Sequence, residues 1–169
     1  MHAHDLIDRL RAEWKTERPE LDTSSMEVVG RLLILGEHLR READAALEPL
    51  ELGYSEFGVL ATLQRSGPPY RLRPATLLQT VLLNSGSMTA CLDRLERRGL
   101  VERSPDPDDR RARLVHLLPP GTELVTEALE LRVAAAVSFL RVLSDQESDR
   151  LIPLLKKLVL THRPMEISE

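Results

Sequence analysis

Three hydroxyl side chains, Ser85, Ser87 and Thr89, and one guanidinium, Arg94, follow one another closely in the chain. Between them Met88, Leu92 and Leu95 recur at i, i+4 and i+7, so in a helix the polar groups lie off an apolar stripe that faces a core. Hydroxyls and arginines of this kind hydrogen-bond to phosphate oxygens and to base edges in a major groove. Ser85, Ser87, Met88, Thr89 and Arg94 are the residues expected to face such a groove. A second charged group follows at Asp109, Arg110, Arg111 and Arg113. Arginine is favoured in a minor groove by its negative potential. Asp109 is expected to orient a neighbouring arginine, because phosphate repels its own charge. Taken singly, these are also what a solvated amphipathic helix and an ordinary charged hairpin look like. Their succession within one stretch, Asn84 to Leu118, favours nucleic acid.

Other chemistries find less support. The chain has no phosphate-cradling Gly-rich loop, no HExxH and no GxSxG, so no catalysis, cofactor or metal is expected. Its five histidines, His2, His4, His38, His116 and His162, are scattered. His2 and His4 could offer metal ligands, but a disordered end is the plainer account. Cys91 has apolar neighbours and reads as a buried, inert thiol, with a redox sensor as the alternative.

The elements that must hold the polar groups are mostly helical. Leucine is abundant and aromatic residues make up only 3%, which suits helices packed through aliphatic seams. The pattern predicts a helix over 4–18 with Leu6, Ile7, Leu10 and Trp14 inward, and a long helix to Leu47 opened by a Ser24/Glu27 capping box. Along that helix Val29, Leu32, Leu33, Leu39, Ala43 and Leu47 keep helical period, and Gly36 would admit a close neighbour. A helix from Tyr54 ends at Gly67-Pro68-Pro69, and another starts at Pro74. The short gap before Ser85 makes the last pair a helix-turn-helix, with the Ser85 helix as the recognition element. Gly99 stops it, and strands at 100–103 and 114–117 flank a turn-rich loop. After Pro119-Pro120-Gly121 come two more helices, one from Thr122 and one capped by Ser144 and Glu147, in which Pro153 should kink the backbone or remove a hydrogen bond from the first turns. The organisation is therefore 1–53, helical; 54–118, helix-turn-helix and ribbon; 119–169, helical.

A chain of 169 residues with one cysteine has no disulfide framework. No apolar run approaches 18 residues and charges are spread through the first fourteen residues, so a cytoplasmic protein with no membrane partner is expected. The net charge of −4 argues mildly against nonspecific nucleic-acid binding, though 65–92 holds no acid while Arg65, Arg71 and Arg73 are present.

The segments SGSMTACLDRLERRGLVER and PDPDDRRARLVHL, followed by Pro120-Gly121, resemble the MarR family of bacterial transcription regulators. Asp109-Arg110-Arg111 matches the family's Asp-x-Arg wing signature. The resemblance implies a mainly α fold with a small β-wing, a winged helix-turn-helix that binds double-stranded DNA, and dimerisation through the N- and C-terminal helices. A homodimeric repressor of a near-palindromic operator, released by a small-molecule effector, is the implied function. The two recognition helices would lie about 34 Å apart. A winged-helix module that holds another protein instead of DNA is the alternative. Trp14, with 17–22 and 26–32, resembles the urate-responsive subgroup, which carries an additional N-terminal helix. Its ligand residues map onto Trp14 and Arg103, which match, and onto Gly58 and Cys91, where the subgroup has an aspartate and an arginine. Two charges are thus missing, and an acidic ligand such as urate would lose a charge-assisted contact. The small residue at Gly58 suggests a cleft for a bulkier or less charged molecule; the alternative is that Trp14 only packs the first helix down.

Overall fold

The structure is a computed structural model that describes residues 4–81, 85–109 and 111–162. The chain divides into a unit ending at Arg132 and a unit starting at Val133, with one helix running across the division.

The first unit begins with helix α1 (Leu6–Glu17). Asp5 caps it by accepting from Ile7 N and Asp8 N, while the Asp8 carboxylate accepts from Asp5 N, so the first turn's free amides are satisfied reciprocally. Helix α2 (Met26–Leu47) follows. The Ser24/Glu27 box does not form: Ser25 is the N-cap and makes no side-chain cap, and Glu27 pairs with Arg11 of α1. Arg31 of α2 bonds to both Asp5 (2.7 Å) and Asp8 (2.6 Å), and Ile7 fills the space left by Gly30, so charge and packing together seat α1 on α2. Those bonds hold the Asp5 and Asp8 carboxyls below their ordinary range, with backbone amides the first cause and Arg31 the ion that adds to it.

Two expectations fail here. Trp14 is 45% exposed instead of facing a core, and Val29, Leu32, Leu33 and Leu39 are exposed; only Ala43 and Leu47 of α2 are buried. Nothing lies within 4 Å of a Cβ at Gly36. The helical period told which face of α2 is apolar but not what covers it.

After a 3-10 turn (Glu48–Leu50) comes α3 (Tyr54–Arg65), then strand β1 (Arg71–Leu72), α4 (Pro74–Thr80) with Pro74 in its first turn, and α5 (Ser85–Arg97). Gly99 ends α5 at φ +67, a left-handed conformation without penalty for glycine, and Leu100 N then bonds back to Leu95 O. Strands β2 (Val101–Pro105) and β3 (Arg113–Leu117) are antiparallel, with Arg103 opposite Val115, and β1 adds to the far edge of β3, giving the order β1-β3-β2.

Around these strands Val59, Leu60, Leu63, Leu77, Leu95, Val101, Val115 and Val125 form a fully buried cluster. Each such side chain contributes roughly 1.5–3 kcal/mol through burial, so this cluster is what anchors α5 and the hairpin. Helix α6 (Pro119–Leu140) enters it through Gly121, Val125 and Ala128, and starts three residues earlier than its sequence suggested.

The second unit holds the end of α6 and helix α7 (Asp145–Thr161). Ser144 and Glu147 form the reciprocal cap, which keeps the Glu147 carboxyl below its ordinary range. Helix α7 runs through Pro153, and none of its residues is buried. Among the described residues no helix is long and apolar enough to cross a membrane.

Candidate nucleic-acid interface

Helix α5 turns Met88, Cys91, Leu92 and Leu95 into the core and leaves Gly86, Ser87, Thr89, Ala90 and Asp93 exposed. Ser87 and Thr89 stand one turn into the helix on a surface otherwise made of small residues, which permits close approach of a duplex. Ser85 opens the helix, and its side chain lies outside the described residues. Met88 was expected to face the groove and does not. It is 2% exposed, because it belongs to the same i, i+4, i+7 stripe as Leu92 and Leu95 and is drawn inward with them.

Arg94 is 49% exposed on α5 and also holds the protein together. Its Nε donates to Glu56 Oε1 at 2.7 Å, while Glu56 Oε2 accepts from Gly53 N at 3.0 Å. Glu56 thereby caps α3 and grips α5 with one buried carboxylate. On the other side of α5, Arg103 from β2 bonds to Asp93 Oδ1 at 2.5 Å, and its backbone N–H donates to Glu96.

The hairpin tip is organised by acids. Asp106 is 4% exposed. Its Oδ2 accepts from Arg73 at the start of α4 (2.7 Å), its Oδ1 from Asp108 N, and its own N–H donates to Ala112 O. The carboxyl is held below its ordinary range, first by the Asp108 amide and then by Arg73. Asp109 Oδ1 accepts from Arg111 N (3.0 Å), a turn that presents the exposed Arg111 side chain at the tip. Arg110 lies outside the described residues. Arg73 and Asp106, 33 residues apart, thus tie the ribbon to the helix-turn-helix, a link for which the sequence carried only a turn-former signal.

The four residues of the expected effector cleft are not gathered in one hollow. At Gly58 a Cβ would lie 3.2 Å from Val81 Cγ1, so Val81 occupies the space that a missing side chain was expected to open. Cys91 is fully buried, and Arg103 is engaged by carboxylates. A hollow of about 990 Å³ lies instead along α1, with Asp8, Arg11, Lys15, Leu21 and Thr23 among its lining residues, and one of about 380 Å³ lies between Arg40, Asp44, Tyr54, Ser55, Glu56 and Arg94. Trp14, Gly58, Cys91 and Arg103 are not among the described lining residues of either.

Burial pushes the Cys91 thiol from an ordinary 9.0 up to about 11, with the Glu56 charge adding to the rise and Arg94 opposing it. The thiolate fraction near neutral pH falls roughly 100-fold for such a shift. A maleimide should therefore label the native protein at pH 7.5 roughly 100 times more slowly than it labels the urea-unfolded chain. Equal rates would place Cys91 outside the core. A peroxide-sensing thiol needs the opposite environment.

Comparison with known proteins agrees with this geometry. Residues 50–112, from the turn before α3 to the wing tip, match the model of the MarR family. The regulator PecS of Dickeya dadantii is 33% identical over 146 residues, covering 86% of this chain and 88% of that protein. The crystal structure of a mutant of Escherichia coli MarR complexed with operator DNA superposes with a TM-score of 0.71 at 27% identity, over 82% of this chain and 99% of that one. Sco3205 of Streptomyces coelicolor, in complex with DNA, shares the fold with a TM-score of 0.75 at 22% identity, over 86% and 92% of the two chains.

Proposed function

The chain belongs to the MarR family of DNA-binding transcription regulators, and from that premise we propose that it acts as a homodimeric repressor of a near-palindromic operator. Residues 54–118 form the DNA-binding region, and the terminal helices in 1–53 and 119–169 hold a second copy. Ser85, Ser87 and Thr89 lie at base edges in the major groove. Arg111, with Arg110 beside it, enters the adjacent minor groove, and Asp109 sets the turn that aims it. The observation that carries this reading is the pairing of an exposed, small and hydroxylated edge on α5 with an arginine-tipped ribbon anchored through Arg73 and Asp106.

Relief by a small molecule is part of the proposal, as is the subgroup resemblance carried by Trp14 and Arg103. With Gly58 filled by Val81 and Cys91 sealed, these two are the members of the expected set that an effector can reach without repacking the core. A cytoplasmic setting follows from the same function.

Arg111→Ala tests the wing. Against the best sequence selected from a random DNA pool, operator affinity should fall by about 1–3 kcal/mol, the worth of one good specific contact. Unchanged affinity in a gel-shift titration would remove the wing from the interface.

A further inference from the structure

Arg94 sits on the reading helix with a cationic head that phosphate would attract and that is 49% exposed, yet its Nε is committed to the protein. Nε donates to Glu56 Oε1 at 2.7 Å, and Glu56 is 7% exposed. The second oxygen of Glu56 is taken by Gly53 N at the start of α3. Drawing Arg94 away to DNA would break the Nε bond and leave the buried Glu56 carboxylate with the Gly53 amide but without its counter-charge, which is costly. The matching pair on the opposite flank, Arg103 with Asp93 and Glu96, shows that α5 is gripped by ion pairs from both α3 and β2. An apolar stripe allows a helix to slide or roll by a fraction of a turn, whereas charge pairs at two flanks define one angle.

We propose that Arg94 is a positioning residue, held by Glu56 so that α5 meets DNA at one fixed angle, and not itself a contact to base or phosphate. The assignment rests on the DNA-binding role of α5 given above. It makes Glu56, remote in sequence and facing inward, as necessary for operator affinity as Arg94.

The two roles give opposite signs in one experiment. Arg94→Ala, Arg94→Lys, Glu56→Gln and the Arg94→Ala/Glu56→Gln double variant are titrated against the selected operator over a salt series, with circular dichroism to show that each is folded. A positioning role predicts that each single variant weakens binding about 2- to 30-fold, the range of coupling carried by residues that touch neither ligand. The double variant should be no weaker than the worse single one. The slope of log affinity against log salt should match the unaltered protein in all four. Arg94→Lys is the second probe: it keeps a charge for phosphate and loses the Nε donor, so a strut fails with it and a phosphate contact survives it. Tighter or unchanged binding by Glu56→Gln, unaffected binding by Arg94→Lys, or a slope flatter by about two in the Arg94→Ala dimer would overturn the assignment. If the unaltered protein selects no DNA at all, the DNA-binding role falls and this assignment falls with it.

Discussion

Gly121→Val is expected to lower the unfolding free energy by about 3 kcal/mol, a large share of the roughly 5–15 kcal/mol typical of a domain. A Cβ at this position would lie 2.2 Å from Leu100 O and 2.8 Å from Leu117 Cδ1. The first obstacle is backbone and cannot rotate away. Leu100 O is also the acceptor of Leu118 N at 3.0 Å, so the chain just after α5 and the chain just before α6 are pressed together at this point. Moving α6 outward to admit a side chain would break that bond and withdraw Val125 and Ala128 from the core. Urea unfolding followed by circular dichroism measures the cost as a lowered midpoint with an unchanged slope. A loss under about 1 kcal/mol would mean that α6 is not seated against Leu100.

The parts of the fold that local chemistry specifies are legible in the sequence. Pro74 at a first helical turn, Gly99 in a left-handed stop, the Ser144/Glu147 cap and the Met88, Leu92, Leu95 stripe all act within a few residues, so their spacing carries the information. Strand β1 was invisible because two residues show no alternation; what makes Arg71 and Leu72 a strand is the free edge of β3. The same limit explains the errors at the site. Met88 lies next to the proposed groove-facing hydroxyls in sequence, but its own period puts it in the core. Arg94 and Glu56 are 38 residues apart, and Arg73 and Asp106 are 33 apart, so neither pairing can be read from sequence neighbours. Periodicity marks apolar faces on α2 and α7, but being apolar and being covered are separate facts.

Those uncovered faces support the remaining large effect. Val28, Val29 and Leu33 on α2, Val133 and Val137 on α6, and Ile152, Leu154, Val159 and Leu160 on α7 are each more than half exposed. At roughly 25 cal/mol per Å² of apolar surface, leaving them in water is costly, and monomeric proteins rarely present so much hydrocarbon. The proposed two-fold operator would put a second copy on these faces, with one protomer at each half-site. Ile152 and Val159, 60% and 61% exposed and seven residues apart, share a face of α7. Replacing both by glutamate would put charge into the proposed seam while leaving the buried core of the first unit untouched. The expected result is a single-copy mass near 19.1 kDa in light scattering. Operator affinity should fall about 10²- to 10⁴-fold, the advantage lost when two linked half-sites become independent. Far-ultraviolet circular dichroism should keep its helical shape if the seam lies between copies. A double variant that remains two copies and binds the operator unchanged would show that α7 is not the seam, and the paired reading of two half-sites would have to be built on α2 instead.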